Sequence, residues 1–361
     1  MTSIKRIVVT GDFLRLNADG NASQNINIKW LYHLVRPALQ RVGTLPIDLL
    51  ISTDDEQCFA RQYYEVNGLP RTLKSWVKLF NSRANTRALA AIHDRLHDSL
   101  VVAFELPEVI RAALERLEIP YVDFTVHPAR FLDDLLFGVR SNVPGLGKAL
   151  GEFVVFDEEI SLSAGLAMAT LAKLPNIAQV AGYENVALFA GQTIDDKVLI
   201  RDGKLLGSSE FLDQFHTLCQ SHSKVLVKPH PYAKNNPIIV ALTRLFHNTE
   251  LIHNNFYHLL AQDPITHVYS ITSSTSIEAA YFDKRGVHLA VYPYAFSDHN
   301  ASGGHYLTIS PAFFLPQFWG KVLQQMALPT RSFMPVELRA ERSRMRKSMR
   351  NFWGADIFET I

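Results

Sequence analysis

The sequence predicts an α/β protein built from two Rossmann-like halves, and three observations carry that prediction. Short apolar β-rich runs alternate with stretches of helical periodicity along most of the chain, the rhythm of a parallel doubly wound sheet. A length of 361 residues, 47% apolar and 20% charged, is enough for two ordinary hydrophobic cores. The rhythm breaks once, at a turn-rich stretch over 142–147 and a crossing segment over 175–183, and then resumes.

Taken in order, the first half opens with a β-run over 7–10 that ends in Gly11-Asp12, and helical periodicity follows over 28–40. Residues 47–51 supply a second strand. After a helical middle, 100–104 reads as a buried strand ending at Glu105, 107–117 as the helix after it, and 121–124 as another strand. Glu105, Asp123 and His127 therefore fall at carboxyl ends of strands, where ligands of such sheets gather. A helix of little charge over 164–174 precedes the crossing. Strands over 186–189, 225–227, 267–271 and 287–291 then repeat the βα pattern. The expected division is 1–180 for the first domain, 181–335 for the second, and 336–361 for a final helix that crosses back to the first.

Composition excludes several classes. A formal net charge of +1 gives no bulk argument for nucleic acid. The two cysteines, Cys58 and Cys219, fit neither a zinc pattern nor a disulfide framework, so a reducing cytoplasm is the expected compartment. Residues 1–15 are too short for a signal peptide, and no window holds eighteen uninterrupted apolar residues. Contact with a membrane is therefore expected to be peripheral.

The chemistry concentrates in the second half. The strand over 225–227 delivers Lys228-Pro229-His230-Pro231, in which two prolines fix the backbone and aim Lys228 and His230 at a crevice. The next β-run ends in Ser273-Ser274-Thr275, with a helix start over 276–281 and Glu278 one turn in; hydroxyls and backbone N–H groups at such a place bind anions. The plainer alternatives are a structural histidine, a simple helix N-cap, and a capping box between Thr275 and Glu278. Upstream, Gly191-Gln192-Thr193-Ile194-Asp195-Asp196 closes the strand over 186–189, so its carboxylates face the same crevice; the plainer alternative there is a surface turn.

These three segments, in this order, resemble the bacterial β-Kdo transferases of capsule and O-antigen synthesis, which have GT-B architecture, and are similar in logic to sialyltransferases that also use CMP-activated sugars. The resemblance covers the second half well. In the first half it rests on Glu105-Leu106-Pro107 and on His127-Pro128-Ala129-Arg130-Phe131 with Asp133. It implies a two-domain transferase moving Kdo from CMP-Kdo to a saccharide or lipid-linked glycan acceptor, with retention of configuration. Asp196, chosen over Asp195 by its spacing from the His-Pro motif, is the implied nucleophile. His230 contacts the donor phosphate or acts on the departing CMP, supplemented by Lys228 and flanked by Gln192 and Pro231. Ser273 and Thr275 donate hydroxyls to the phosphate, Ser274 turns the backbone between them, and Glu278 accepts from the ribose. Glu105 is the candidate acid or base for the acceptor, with Asp123 competing, and Asp12 and Arg15 meet acceptor hydroxyls.

A CMP-sugar leaves with a single phosphodiester, so neither a metal nor a cofactor is expected, and no His or Cys cluster has ligand spacing. The C-terminal segment carries Arg339, Arg342, Arg344, Arg346, Lys347 and Arg350 before Phe352 and Trp353. It reads either as a helix packing Leu338, Met345 and Met349 inward or as a basic face resting on anionic lipid. Rival readings are a CMP-sialic acid transferase, a CDP-glycerol glycerophosphotransferase, whose serine motif usually continues into an aspartate where this chain has Glu278, and a non-catalytic nucleotide- or glycan-binding scaffold.

Overall fold

The structure is a computed structural model that describes residues 3–55, 57–175, 177–231, 233, 236–337 and 341–352. The strands of the first half are β1 (Arg6–Gly11), β2 (Ile47–Leu49), β3 (Ser99–Phe104), β4 (Tyr121–Val126) and β5 (Phe137–Ser141). The second half contributes β6 (Val186–Ala190), β7 (Ile200–Arg201), β8 (Lys204–Leu205), β9 (Lys224–Lys228), β10 (Thr249–Leu251), β11 (Ile265–Ser270) and β12 (Arg285–His288). The chain then adds β13 (Ala295–Ser297) and β14 (His305–Ile309).

The chain divides into two compact units. Unit 1 comprises Met1–His127, Asp133–Val155 and Tyr294–Ile361; unit 2 comprises Pro128–Leu132 and Phe156–Pro293. Unit 1 holds a seven-stranded sheet in the order β13-β14-β5-β4-β3-β1-β2. Its β2-β1-β3-β4 portion is parallel, while β5 runs antiparallel to both β4 and β14. The Ser-Leu-Val-Val-Ala-Phe sequence of β3 is buried at every position, as a central strand covered on both faces requires. Helix Asn25–Val42 lays Ile28, Leu31, Val35, Leu39 and Val42 at helical spacing into the core, where Trp30 meets Phe104 and Phe137. Gly11 is required where β1 passes β3, because a Cβ there would lie 2.4 Å from the Phe104 carbonyl oxygen.

Unit 2 holds a five-stranded, wholly parallel sheet in the order β10-β9-β6-β11-β12. From β6 the chain winds first to β9 and β10 and then returns to β11 and β12, so the topological switch point lies between β6 and β11. β7 and β8 form a separate two-stranded ribbon.

The boundaries differ from those the sequence suggested. Helix Asp157–Leu171 belongs to unit 2, because Ala164 is buried in a cluster with Val186, Leu188 and Val268. Unit 2 ends at Pro293 rather than near 335: β13 and β14 extend the unit 1 sheet, and helix Pro316–Gln325 buries Phe318, Trp319, Val322 and Leu323 in the unit 1 core. Helix Arg344–Phe352 also packs on unit 1. Met345 and Met349 are buried there, Trp30 Nε1 donates to Ser348 Oγ at 3.1 Å, and the Asp134 carboxylate accepts from the Met345 and Arg346 N–H groups at 2.8 and 3.1 Å. Leu338, Arg339 and Trp353 lie outside the described residues. Among the described residues no helix is long and apolar enough to cross a membrane.

Candidate functional site

Because all five strands of the unit 2 sheet are parallel, the residues following β6, β9 and β11 emerge at one edge of it. The Gly191–Asp196 segment, the Pro229–Pro231 turn and the Ser273–Thr275 loop are thus brought to the edge where the switch point opens. Gln192, nearly buried, spans that point: its Oε1 accepts from the Thr272 N–H at 2.7 Å and its Nε2 donates to Thr272 Oγ1 at 3.3 Å. One side chain thereby locks the tip of β6 to the tip of β11. On the other side, the Gly191 N–H donates to the Lys228 carbonyl at 2.8 Å, and a Cβ on Gly191 would lie 3.3 Å from that oxygen and 3.5 Å from the His230 nitrogen. Glycine lets the two tips approach.

His230 is half-buried, and burial lowers the pKa of its imidazole, with the charge of Asp196 pulling it back up. The ring lies within the field of that carboxylate. Asp196 heads the 3₁₀ turn Lys197–Leu199, its Oδ1 accepting from the Val198 N–H at 3.3 Å, while the neighbouring Asp195 is likewise half-buried. Lys228 donates its Nζ to the Asn254 carbonyl at 2.7 Å, and burial lowers its pKa.

The hydroxyl loop is built from a polar lattice beneath it. Ser270 and Ser276, both buried, meet Oγ to Oγ at 2.8 Å, and Ser276 Oγ also donates to the Val287 carbonyl at 3.1 Å, stitching β11 to β12. Ser273 Oγ accepts from the Thr275 N–H at 3.3 Å, and Thr275 Oγ1 is buried with no hydrogen-bond partner among the described residues. Helix Thr275–Tyr281 has Ser274 at its N-cap, without a side-chain cap bond, so the Thr275–Glu278 capping box is not the arrangement found. Glu278 is buried, and its Oε1 accepts from the Arg130 N–H at 2.7 Å and from Tyr257 Oη at 2.8 Å. It ties the Pro128–Leu132 segment into unit 2, where Phe131 sits among Tyr257, Tyr281 and Phe282 at ring separations of 5.1–6.2 Å.

The remaining candidates belong to unit 1. Glu105 follows β3 with φ of +60°, a left-handed backbone that a non-glycine residue seldom adopts and that clusters at functional sites. Its Oε1 accepts from Thr125 Oγ1 at 3.0 Å. Asp12, at the tip of adjacent β1, is buried and accepts from Trp76 Nε1 at 2.9 Å, and Arg15 lies 5.1 Å from the Trp76 ring centre. Asp123, fully buried, accepts from Arg140 Nε at 2.8 Å, Tyr306 Oη at 2.9 Å and the Leu106 N–H at 3.0 Å. That partner set is the set of a structural ion pair, and it leaves Glu105 as the more open carboxylate of the two. His127 is buried edge-on against Phe296.

His288, at the tip of β12, was not singled out by the sequence, because the β-run read over 287–291 puts it near a strand start rather than at an end. Its Nε2 faces the Ser273 carbonyl at 2.8 Å. Among the described residues no group of three or more His, Cys, Asp or Glu side chains is disposed to hold a metal ion.

No protein-family model matches the sequence, and no curated protein matches it. Two solved structures from Thermosulfurimonas dismutans KpsC are similar to part of the chain. The β-Kdo 2,7 transferase is 14% identical over 56% of this chain and 68% of its own, with a TM-score of 0.32. The β-Kdo 2,4 transferase is 16% identical over 52% of this chain and 67% of its own, with a TM-score of 0.33.

Proposed function

We propose that the protein is a glycosyltransferase of the two-domain GT-B type that moves Kdo from CMP-Kdo to a saccharide acceptor of a bacterial surface polysaccharide. The single observation that carries the reading is the gathering of Asp196, His230 and the Ser273–Thr275 loop at one edge of the unit 2 sheet, beside the switch point that Gln192 bridges. Ligands of such sheets bind there. The motif order described above supplies the donor class.

In this reading unit 2 binds the donor and unit 1 the acceptor. The loop hydroxyls and the His230 imidazole receive the single phosphate of CMP. The Asp196 carboxylate attacks the anomeric carbon as the bond to the phosphate oxygen breaks and CMP departs; a second displacement by the acceptor hydroxyl, which loses its proton to solvent as the bond to Asp196 breaks, restores the configuration. The phosphodiester carries one charge, so no divalent ion is needed to neutralise a diphosphate. Lipid-linked glycans at the cytoplasmic membrane face are the acceptor class that suits a peripheral enzyme.

Incubating the purified chain with CMP-Kdo, CMP-sialic acid and CDP-glycerol, and measuring nucleotide release, tests the proposal. Slow release of CMP from CMP-Kdo above the other two is expected. Release from CDP-glycerol alone, or from none, sinks it.

A further inference from the structure

We infer that His288 is a positioning residue of the donor loop: its Nε2–H holds the Ser273 carbonyl and so fixes residues 273–275 in the shape that receives the donor phosphate. The inference rests on the glycosyltransferase reading for what the loop binds, but the way the loop is held stands on geometry alone. The Ser273 carbonyl accepts from His288 Nε2 at 2.8 Å, from Ser270 Oγ at 3.3 Å and from the Ser276 N–H at 3.3 Å. The last two donors come from the loop's own neighbourhood. His288 is the donor that comes from the adjacent strand, and the register of β11 with β12 sets it opposite Ser270, the last residue of β11.

Two further features fix that strand against the loop. Gly286 lacks a Cβ that would otherwise sit 1.7 Å from the Ser276 carbonyl oxygen, so the start of the following helix lies directly on β12. The His288 ring stacks on Tyr292, with centroids 5.3 Å apart and planes inclined by 12°, which holds the imidazole in one orientation. A carbonyl facing Nε2 requires the proton on that nitrogen, leaving the lone pair of the neutral ring on Nδ1. With the ring neutral, the tie adds no charge of its own to the loop.

The test compares His288→Phe, which keeps a flat ring against Tyr292 and removes the donor, with His288→Gln, which returns an N–H near the Nε2 position. Amide hydrogen exchange over 272–276 is read in the ligand-free protein, and the dissociation constant for CMP by titration. Phenylalanine is expected to speed exchange and weaken CMP by about ten-fold each, and glutamine to stay within about three-fold of the parent on both. Unchanged exchange in His288→Phe, faster exchange with CMP affinity intact, or glutamine behaving like phenylalanine overturns the inference. A parent protein that binds no CMP overturns the donor reading instead. Nitrogen NMR of the parent needs no variant: His288 protonated at Nε2 and bare at Nδ1 at pH 7 supports the tie, and the opposite tautomer refutes it.

Discussion

Inside β4 of unit 1, a fully buried carboxylate, Asp123, is held by a guanidinium, a phenol and a backbone N–H, short of the strand end that the sequence suggested for it; at the tip of β11 in unit 2, the buried groups are Gln192, Ser270, Thr272, Ser276 and the half-buried His288. The first arrangement is closed on itself. Burial pushes the Asp123 carboxyl up while Arg140, Leu106 and Tyr306 pull it down, and every strong partner is already supplied by the protein. The second is a lattice of neutral donors and acceptors, and Glu278, the one carboxylate on its helix, accepts from the Arg130 backbone N–H and Tyr257 Oη. An anion arriving at the tip of β11 meets hydroxyls and backbone N–H groups; at Asp123 it would meet a site already neutralised. On the proposed reading, the contrast favours the second unit for a phosphate and speaks against Asp123 as a catalytic group.

The largest effect expected is chemical. Asp196→Asn should lower transfer by about a thousand-fold or more while CMP affinity stays within about three-fold, because the proposed mechanism loses its nucleophile and no phosphate contact. Steady-state transfer and CMP titration check it, and transfer at the parent rate removes Asp196 from the mechanism. Next comes the closed network. Asp123→Ala leaves Arg140 buried without its main partner and should cost unit 1 about 3–5 kcal/mol, whereas Ser276→Ala should cost unit 2 about 1–2 kcal/mol. Denaturant unfolding of both variants measures the difference, and equal costs would dissolve the contrast between the charged and the neutral network.

The smallest effect is on pH dependence, and it separates the units by window. Burial lowers the pKa values of His222, His230, His267 and His288, all in unit 2, below the ordinary 6.5. A folded state with depressed imidazole pKa values has its full stability above 6.5 and loses it as pH falls through the lowered values, since it takes up protons less readily than the unfolded chain. In unit 1, burial opposes but does not overcome the bonds from Arg111 and the charge of Arg140, which hold Glu108 below its ordinary 4.5; that contribution is intact at pH 5 and fades only below 4.5. Hydrogen exchange at pH 7 and pH 5 should therefore show unit 2 opening more readily in acid while the Glu108 contribution to unit 1 persists. Equal acid sensitivity of the two units would contradict this.

Much of the α/β pattern was legible because apolar runs and helical spacing are local. The runs over 7–10, 100–104 and 225–227 lie within β1, β3 and β9, and the periodicity over 28–40 lies within helix Asn25–Val42. What escaped was non-local. β14 pairs with β5 through Leu307 and Val139, and nothing in either segment names its partner, so the return of the chain to unit 1 at Tyr294 was placed some forty residues too late. The bond from the Arg130 backbone N–H to Glu278 spans 148 residues and could not be read from either segment. The Asp123–Tyr306 bond spans 183 residues and was equally invisible, as was the bond from His288 to Ser273, which depends on strand register. The strand-end placement of His230, Gln192 and the serine loop, by contrast, followed from β-runs and the residues that end them.

The most direct test of the donor site is the hydrogen-exchange footprint of CMP on the whole protein. Protection confined to residues 190–196, 228–231 and 272–276 is the predicted result. Protection elsewhere with these three tips unchanged would contradict a nucleotide site at the edge of the unit 2 sheet.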